Sequence, residues 1–411
     1  MLRSLYSGIS GLRQHQTMMD VVGNNIANVN TAGFKASNVV FEDTMSQMLR
    51  AAGAPQGTEG GTNPAQVGLG VRLGSISTNF AQGSAQTTGK ATDLMIQGDG
   101  FFAVQDAGET LYTRDGSFSF DENGDLITSG GAKVQGWMAT NGVVNANAPL
   151  TSLSLPTGTV MPPVMTSTGG FKGNLPSDVA VGTTISQSEK QYDAQGNAHD
   201  VTYTLKKLTA SGTTDSWSVA ATIDGVAATT SATQLDFNNA NGTMTAPAAT
   251  GTPPTRSFSL TAPWGTVTMD VTGVSEYGGN NTFGLTSNNG ASAGTLTGFT
   301  ITPDGTLNGQ FSNGMKQALG QIAIATFNNP VGLEKVGGSE YRTTANSGTP
   351  DIGTAGVGGR GTIANNMLEM SNVDLSSEFT NLIIAQRGFQ ANSKVITTSD
   401  DILQTLVDLK R

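Results

Sequence analysis

The stretch LRSLYSGISGLRQHQTMMDVVGNNI, residues 2–26, decides how the rest of the chain is read. Leu2, Leu5, Ile9, Leu12, Gln16, Met19, Gly23 and Ile26 follow one another at alternating steps of three and four. That is the heptad spacing, which lines one face of a helix with apolar side chains. Gln16 and Gly23 interrupt the line. The spacing predicts an amphipathic helix of about 25 residues. The other end repeats the pattern through Leu375, Phe379, Leu382, Gln386, Phe389, Ser393, Ile396, Asp400, Leu403 and Val407. Asp374 stands at the N-cap, Glu378 lies in the first turn, and Lys410 with Arg411 closes the end, so capping and the helix dipole favour a helix here too. Some 35 helical residues would reach roughly 50 Å.

Apolar residues also lie off the second seam, at Ile383, Val395, Ile402, Leu406 and Leu409. Helices of this length and pattern need partners on more than one side. Two arrangements satisfy that need: a two-helix coiled coil packed on the body of its own chain, or terminal helices that associate between copies.

Working inward, Ala27-Asn-Val-Asn-Thr-Ala-Gly-Phe-Lys35 ends the first helix with turn chemistry. Residues 31–70 and 353–371 read as linkers. Within them, AAGAPQGTEGGTNPAQVG (51–68) has almost nothing to bury, and the glycine run at 353–361 reads as a flexible joint. From Val71 to about Trp137 short strands alternate with Gly/Asp/Asn turns: 94–96, 101–104, 118–120, 126–127 and 134–137. A similar region runs from Leu296 to about Tyr341 and includes LGQIAIATF (319–327), whose alternation fits a half-buried strand. The two are expected to form one discontinuous β domain, 71–149 with 297–352. Residues 150–296, rich in Thr, Ala, Gly and Asn, are expected to form an inserted outer β domain. The predicted fold class is thus multi-domain: terminal helices, 1–30 and 372–411, forming a paired, coiled-coil-like domain, with mainly antiparallel β domains nested between them.

Composition narrows the function. In 411 residues there are 54 glycines, 13% charged residues, no cysteine and a net charge of −10. An acidic chain without a Lys/Arg-rich run lacks the footprint of nucleic acid or anionic-lipid binding. Without cysteine there are no disulfides, thiolate nucleophiles or Cys-ligated zinc. No stretch approaches the roughly 18 apolar residues of a membrane span, and the N-terminus has no signal-peptide h-region.

Candidate chemical sites are weak. His15 and His199 are the only histidines, too few for a histidine-based metal centre unless carboxylates supply most ligands. Asp121, Asn123 and Asp125 mimic the first ligands of an EF-hand loop, but Leu126 stands where the loop needs Gly and Ala132 where it needs Glu. Gly356-Val-Gly-Gly-Arg-Gly361 spells G-x-G-x-x-G with no strand leading into it. The segment 192–200 reads as a hairpin turn with Gly196 and Asn197 at positive φ. No catalytic, cofactor or metal residues are assigned, and an enzyme is disfavoured.

Longer motifs carry a resemblance. Ser7-Gly-Ile-Ser-Gly-Leu12, Asp20-Val-Val-Gly-Asn-Asn-Ile-Ala-Asn28, Thr31-Ala-Gly-Phe-Lys35, Gly98-Asp-Gly-Phe-Phe102, Tyr112-Thr-Arg-Asp-Gly-Ser-Phe118 and Ser371-Asn-Val-Asp-Leu375 to Ala385-Gln-Arg387 resemble the signature of the flagellar axial proteins of the rod and hook. Asn24, Asn25, Ala27, Asn28, Gly33 and Phe34 are the matched motif positions near the first helix. The long middle and Asp304-Gly-Thr-Leu-Asn-Gly309 resemble the hook branch of that family more than its shorter rod branch. Some members cross-link through a cysteine, which this chain lacks.

The resemblance implies a structural subunit of a helical homopolymer, a flexible tube passing torque from rod to filament. Its assembly seam would be Leu2, Leu5, Ile9, Leu12, Met19, Ile26, Leu375, Phe379, Leu382, Phe389, Ile396, Leu403 and Val407. Distal rod, hook cap and hook–filament junction proteins would meet its ends. The resemblance also implies synthesis in the cytoplasm, export by the flagellar type III route without a cleaved Sec signal, and an extracellular place at the hook or basal body. A distal-rod protein and a secreted β-rich adhesin are the competing readings.

Overall fold

A computed structural model describes residues 2–408 apart from 56, 58, 59, 141, 156, 157, 159, 253 and 287. Lys410 and Arg411, expected to close the last helix, lie outside the described residues. Two helices bracket the chain: α1, Leu2–Ala27, and α2, Leu375–Asp408. Asp374 caps α2 as its position suggests, its Oδ1 accepting the backbone N–H groups of Ser376 at 2.9 Å and Ser377 at 3.4 Å. The chain divides into two compact units, one made of Met1–Pro156, Thr300–Asn308 and Ala318–Arg411, the other of Thr157–Phe299 and Gly309–Gln317.

In the first unit α1 and α2 pack on each other. The chain then leaves α1 through strands rather than a linker. β1, Ser37–Asp43, pairs antiparallel with β4, Val71–Thr78, and between them β2, Ser46–Arg50, pairs with β3, Ala65–Gly68. The loop expected at 51–68 is therefore the far end of a ribbon, held further in by two backbone hydrogen bonds between Gly53 and Thr62. Sequence missed this because backbone pairing needs no apolar side chains.

The body of the first unit is a sheet in which strands Lys133–Thr140, Phe101–Asp106, Glu109–Thr113, Glu340–Arg342 and Glu334–Gly337 lie side by side. Residues 320–322 pair with 136–138 at one end, and Ile324–Thr326 pairs with both Phe101–Phe102 and Asp351–Gly353. Edge-to-face aromatic pairs pack it, such as Phe102–Phe118 at 5.1 Å and Tyr112–Phe327 at 4.9 Å between centroids. The segment 319–325 is buried throughout, not half-buried as its alternation suggests. Leu153 packs over Gly320, 2.9 Å from where a Cβ would stand, and covers the strand there.

The return segment 353–371 is also not a linker. Thr362–Asn365 pairs with Leu94–Gln97, and Met367–Glu369 pairs with Ala85–Thr87. The glycine run is fastened at Gly361, whose N–H donates to Asp99 O at 2.7 Å. Its Arg360 pairs with Asp351 at 2.9 Å, so the run forms a fixed turn and not a phosphate cradle.

The second unit is built on a sheet in the order 184–192, 198–207, 214–223, 226–230, 257–262, 265–277, 168–176 and 284–285. One pair departs from antiparallel: Thr168–Pro176 runs parallel to Gly265–Tyr277. Burial alternates along Ala198–Lys207 and Gly265–Tyr277, and the inward residues form a core around Trp217, Tyr203, Phe171, Phe237 and Phe258. At 192–200 the expected hairpin forms, but only Gly196 takes positive φ (84°), and Asp193 Oδ1 accepts from the Gln195 and Asn197 amides instead.

Candidate assembly site: the helix pair and its charged root

The closest approach of α1 and α2 runs through small residues, with the seam residue Ile396 3.4 Å from where a Cβ at Gly8 would stand. Gly8, Gly11, Val22 and Asn25 are the buried positions of α1, spaced with His15 at steps of three, four, seven and three. Facing them, α2 offers Ala385, Gly388, Asn392 and Ser399. A Cβ at Gly11 would lie 2.8 Å from Asn392 Nδ2, and one at Gly388 would collide with the His15 ring. Small residues therefore set a close helix–helix approach. The physical reason is geometric: large side chains hold axes apart, so a tight pair uses the line where they are missing.

The seam read from sequence lies beside this line. Leu5, Ile9, Leu12, Met19 and Ile26 of α1 are half-buried, as are Leu382, Phe389, Ile396 and Leu403 of α2. Leu375, Phe379 and Val407 are exposed, Phe379 by 51% and Val407 by 67%. The side chain of Leu2 lies outside the described residues. Tyr6, Ile383, Ile384, Val395 and Ile402 are exposed as well. A helix pair that leaves so many large apolar groups uncovered has a surface suited to further helices.

At its root the pair is fastened to the sheet by polar groups. Asn25 is almost fully buried. Its Nδ2 donates to Ser37 O at 2.8 Å and to Glu378 Oε1 at 3.1 Å, while its Oδ1 accepts from Ser37 N at 3.0 Å. One side chain thus ties α1, β1 and α2 together, and burial pushes the Glu378 carboxyl up against that hydrogen bond. Asn28 Nδ2 donates to Asn24 O and Oδ1, and Thr31 donates to Asn28 Oδ1, closing the C-terminus of α1. Ala27 ends the helix with its side chain exposed.

Gly33 turns the chain at φ 67°, donates its N–H to Glu369 O at 2.7 Å, and passes so close to the sheet that a Cβ would strike the Asp115 backbone. Gly33→Ala is therefore expected to lower stability by about 2 kcal/mol or more, from the left-handed φ and the collision together. Urea unfolding of the full chain measures it.

Behind Gly33 lies a buried charge cluster. Lys35 Nζ meets Glu369 Oε1 at 2.6 Å and donates to Ala81 O at 2.8 Å; both charged side chains are fully buried. Arg114 Nη1 meets the other oxygen, Oε2, at 3.4 Å, and the Gly83 amide donates to Oε1 at 2.8 Å. Burial pushes the Lys35 ammonium down from its ordinary range, with the Glu369 hydrogen bond opposing it; Arg114 is pushed down by burial in the same way. Lys335 sits 4.6 Å from the Phe34 ring and donates to Lys35 O. Asn372, just before α2, accepts from Ala36 N at 2.8 Å and donates to Asn79 O and Ala81 O.

Sequence reading placed Lys35 and Arg114 only inside motifs and passed over Glu369. Their signal is a lone charge among apolar residues, as in Met367-Leu-Glu-Met370, in a chain poor in charge.

The weaker sequence motifs take structural roles. Asp125 pairs with Lys133 in the turn that resembled an EF-hand. His199 Nδ1 lies 2.7 Å from Asp224 Oδ2 and its ring stacks on Trp264 at 4.5 Å. Among the described residues no group of three or more His, Cys, Asp or Glu is placed to hold a metal ion, and no helix is long and apolar enough to cross a membrane.

The same segments match known families. The flagella basal body rod protein model covers residues 5–35, the flagellar hook protein FlgE/F/G D1 domain model 95–169, and the flagellar basal body rod FlgEFG protein C-terminal model 364–409. The flagellar hook protein FlgE of Borreliella burgdorferi is 38% identical, with 100% of each chain covered. The chain belongs to the flagellar hook protein family. The family's rod branch is near: the flagellar basal-body rod protein FlgG of Bacillus subtilis is 33% identical, again with 100% of each chain covered. The Helicobacter pylori flagellar hook protein FlgE2 shares the fold, at a TM-score of 0.51 and 14% identity, covering 69% of this chain and 100% of that one. In this flagellar hook chain, the two terminal family matches fall on the α1 and α2 roots, where Lys35 and Glu369 meet.

Proposed function

We propose that the chain is a non-catalytic structural subunit of the flagellar hook, polymerising through its terminal helices into a flexible tube that passes torque from rod to filament. The observation that carries this is the glycine-lined pairing of α1 and α2, which leaves Phe379, Ile383, Ile384 and Val407 exposed on one helix of a fixed pair. Packing these faces against a different face of each neighbouring copy would bury them, and repetition of that head-to-tail contact would build a tube. The seam positions Leu5, Ile9, Leu12, Met19, Ile26, Leu375 and Phe379 would then be inter-subunit contacts. Segments 1–30 with 372–411 would form the inner tube, with the β domains outside it. Distal rod, hook cap and junction proteins would meet its ends, and the chain would leave the cell by the flagellar export route. The rod reading is the alternative, and the 33% identity to a rod relative supports it.

Electron microscopy of polymer grown from the purified chain tests the reading. Curved, flexible tubes are expected; short straight rods would favour the rod branch, and no polymer under any condition would favour a monomeric adhesin. Removing 1–30 and 372–411 should leave a soluble β body that no longer polymerises, and polymer from that body would overturn the role of the helices.

A further inference from the structure

In the second unit one lysine faces two carboxyl groups inside the core. Lys207 ends strand Ala198–Lys207, Asp215 is the second residue of Thr214–Ile223, and Glu276 lies near the end of Gly265–Tyr277. Lys207 and Glu276 are 5% and 4% exposed. Lys207 Nζ lies 3.7 Å from Asp215 Oδ2 and 3.4 Å from Glu276 Oε1. It donates one N–H to the Ser177 carbonyl, which fixes the direction of the nitrogen. The Trp217 indole N–H donates to Glu276 Oε1 at 2.9 Å, and the Trp217 ring centroid lies 5.8 Å from the ammonium.

An ordinary salt bridge accounts poorly for this group. One ammonium against two carboxylates leaves excess negative charge among apolar walls, a costly state. Proton sharing relieves it: burial pushes the Glu276 carboxyl up against the Trp217 hydrogen bond, the neighbouring Asp215 charge adds to the rise, and the Lys207 ammonium opposes it. Glu276 is thus suited to hold a proton beside an amine and a second carboxyl. An amine, a carboxyl carbon held near it, and an oriented proton carrier are the parts that amide formation needs.

We propose that Lys207 and Asp215 join through an intramolecular isopeptide bond, with Glu276 as the proton carrier. Glu276 takes a proton from the Lys207 ammonium and delivers it to the Asp215 carboxylate. The freed Nζ lone pair forms a bond to Asp215 Cγ, and the Cγ–O bond breaks. The departing oxygen leaves as water, taking two protons that began on the ammonium. Ammonium and carboxylate thus become amide and water with no change of oxidation state and no co-reactant. Asp215 is 16% exposed at its side chain, which gives the water a way out.

The bond closes the turn 208–214 between two strands of a chain that has no cysteine for a disulfide. It needs the folded sheet to form, so it follows folding. The inference stands apart from the hook reading, because the soluble full-length chain suffices to test it.

Intact mass of the folded full-length chain is expected to fall short of the sequence mass by one water, and a tryptic peptide 207–256, uncleaved after Lys207, should carry that loss. Glu276→Gln should restore the full mass while circular dichroism keeps the β signal. Asp215→Asn should lose one ammonia in place of water, which no non-covalent contact produces. A folded chain at full sequence mass after prolonged incubation at neutral pH overturns the proposal, as does a bond mapped to other residues.

Discussion

Glu369→Ala is expected to lower the unfolding free energy of the full-length chain by about 3–5 kcal/mol, the range for leaving a buried charge without its partner. The carboxylate is shared by Lys35 at 2.6 Å and Arg114 at 3.4 Å, with no water-exposed side for either cation to turn to. Its loss leaves two positive groups in the core. Substitution at a surface pair such as Lys190–Asp200, exposed on both sides, should change stability by only ~0–1 kcal/mol, and serves as the control.

The pH dependence has a definite sign. Lys35 is already pushed below its ordinary range in the folded chain, so between the folded and unfolded values the unfolded state holds more protons, and stability rises with pH across that window. Removing Glu369 takes away the groups that oppose the burial effect, so the window widens downward. The deficit of Glu369→Ala relative to the native chain should therefore shrink as pH is raised from neutral toward the ordinary lysine range. Urea midpoints at a series of pH values measure this, and a deficit independent of pH would mean that the lysine is not what the carboxylate holds.

Phe379→Gln with Ile383→Gln should act in the opposite way, sparing the monomer and disabling assembly. Both side chains are more than half exposed in the single chain, so monomer stability should move by only about 0.5 kcal/mol. If neighbouring copies cover them, each residue, already half covered in the single chain, loses about 0.8–1.5 kcal/mol of burial in every subunit contact. A total of about 2 kcal/mol would raise the concentration needed for polymer roughly thirtyfold, since each 1.4 kcal/mol is tenfold. Sedimentation of polymer across a concentration series reads the shift. Unchanged assembly would place the contact faces elsewhere on the helices.

Heptad spacing marks the large apolar residues as an assembly seam. In the fold the joining line runs through Gly8, Gly11 and Gly388, and the apolar residues flank it. The polar breaks at Gln16, Gly23, Gln386, Ser393 and Asp400 are thus breaks in an outer face rather than in the pair itself. The segments read as joints are fastened too: 51–68 by the pairing of 46–50 with 65–68 and of Gly53 with Thr62, and 353–361 by Gly361 to Asp99. In the first unit the helices are thus rooted in the sheet by backbone pairing and buried charge.

The sequence by itself determined what repeats locally. Steps of three and four placed α1 and α2 almost to the residue, Asp374 marked the cap of α2, and alternation with Gly/Asp/Asn turns located strands such as Leu94–Gln97 and Phe101–Asp106. These features depend on neighbours within a turn or a hairpin, and such neighbours are adjacent in the sequence. Only the tertiary structure decided which helical face is internal, that the linker regions are paired, that Lys35 meets Glu369 across 334 positions, and that Lys207, Asp215 and Glu276 converge. No periodicity encodes a contact between residues so far apart. It arises when burial forces each isolated charge to find a partner, and which partner is near depends on how the strands have come together.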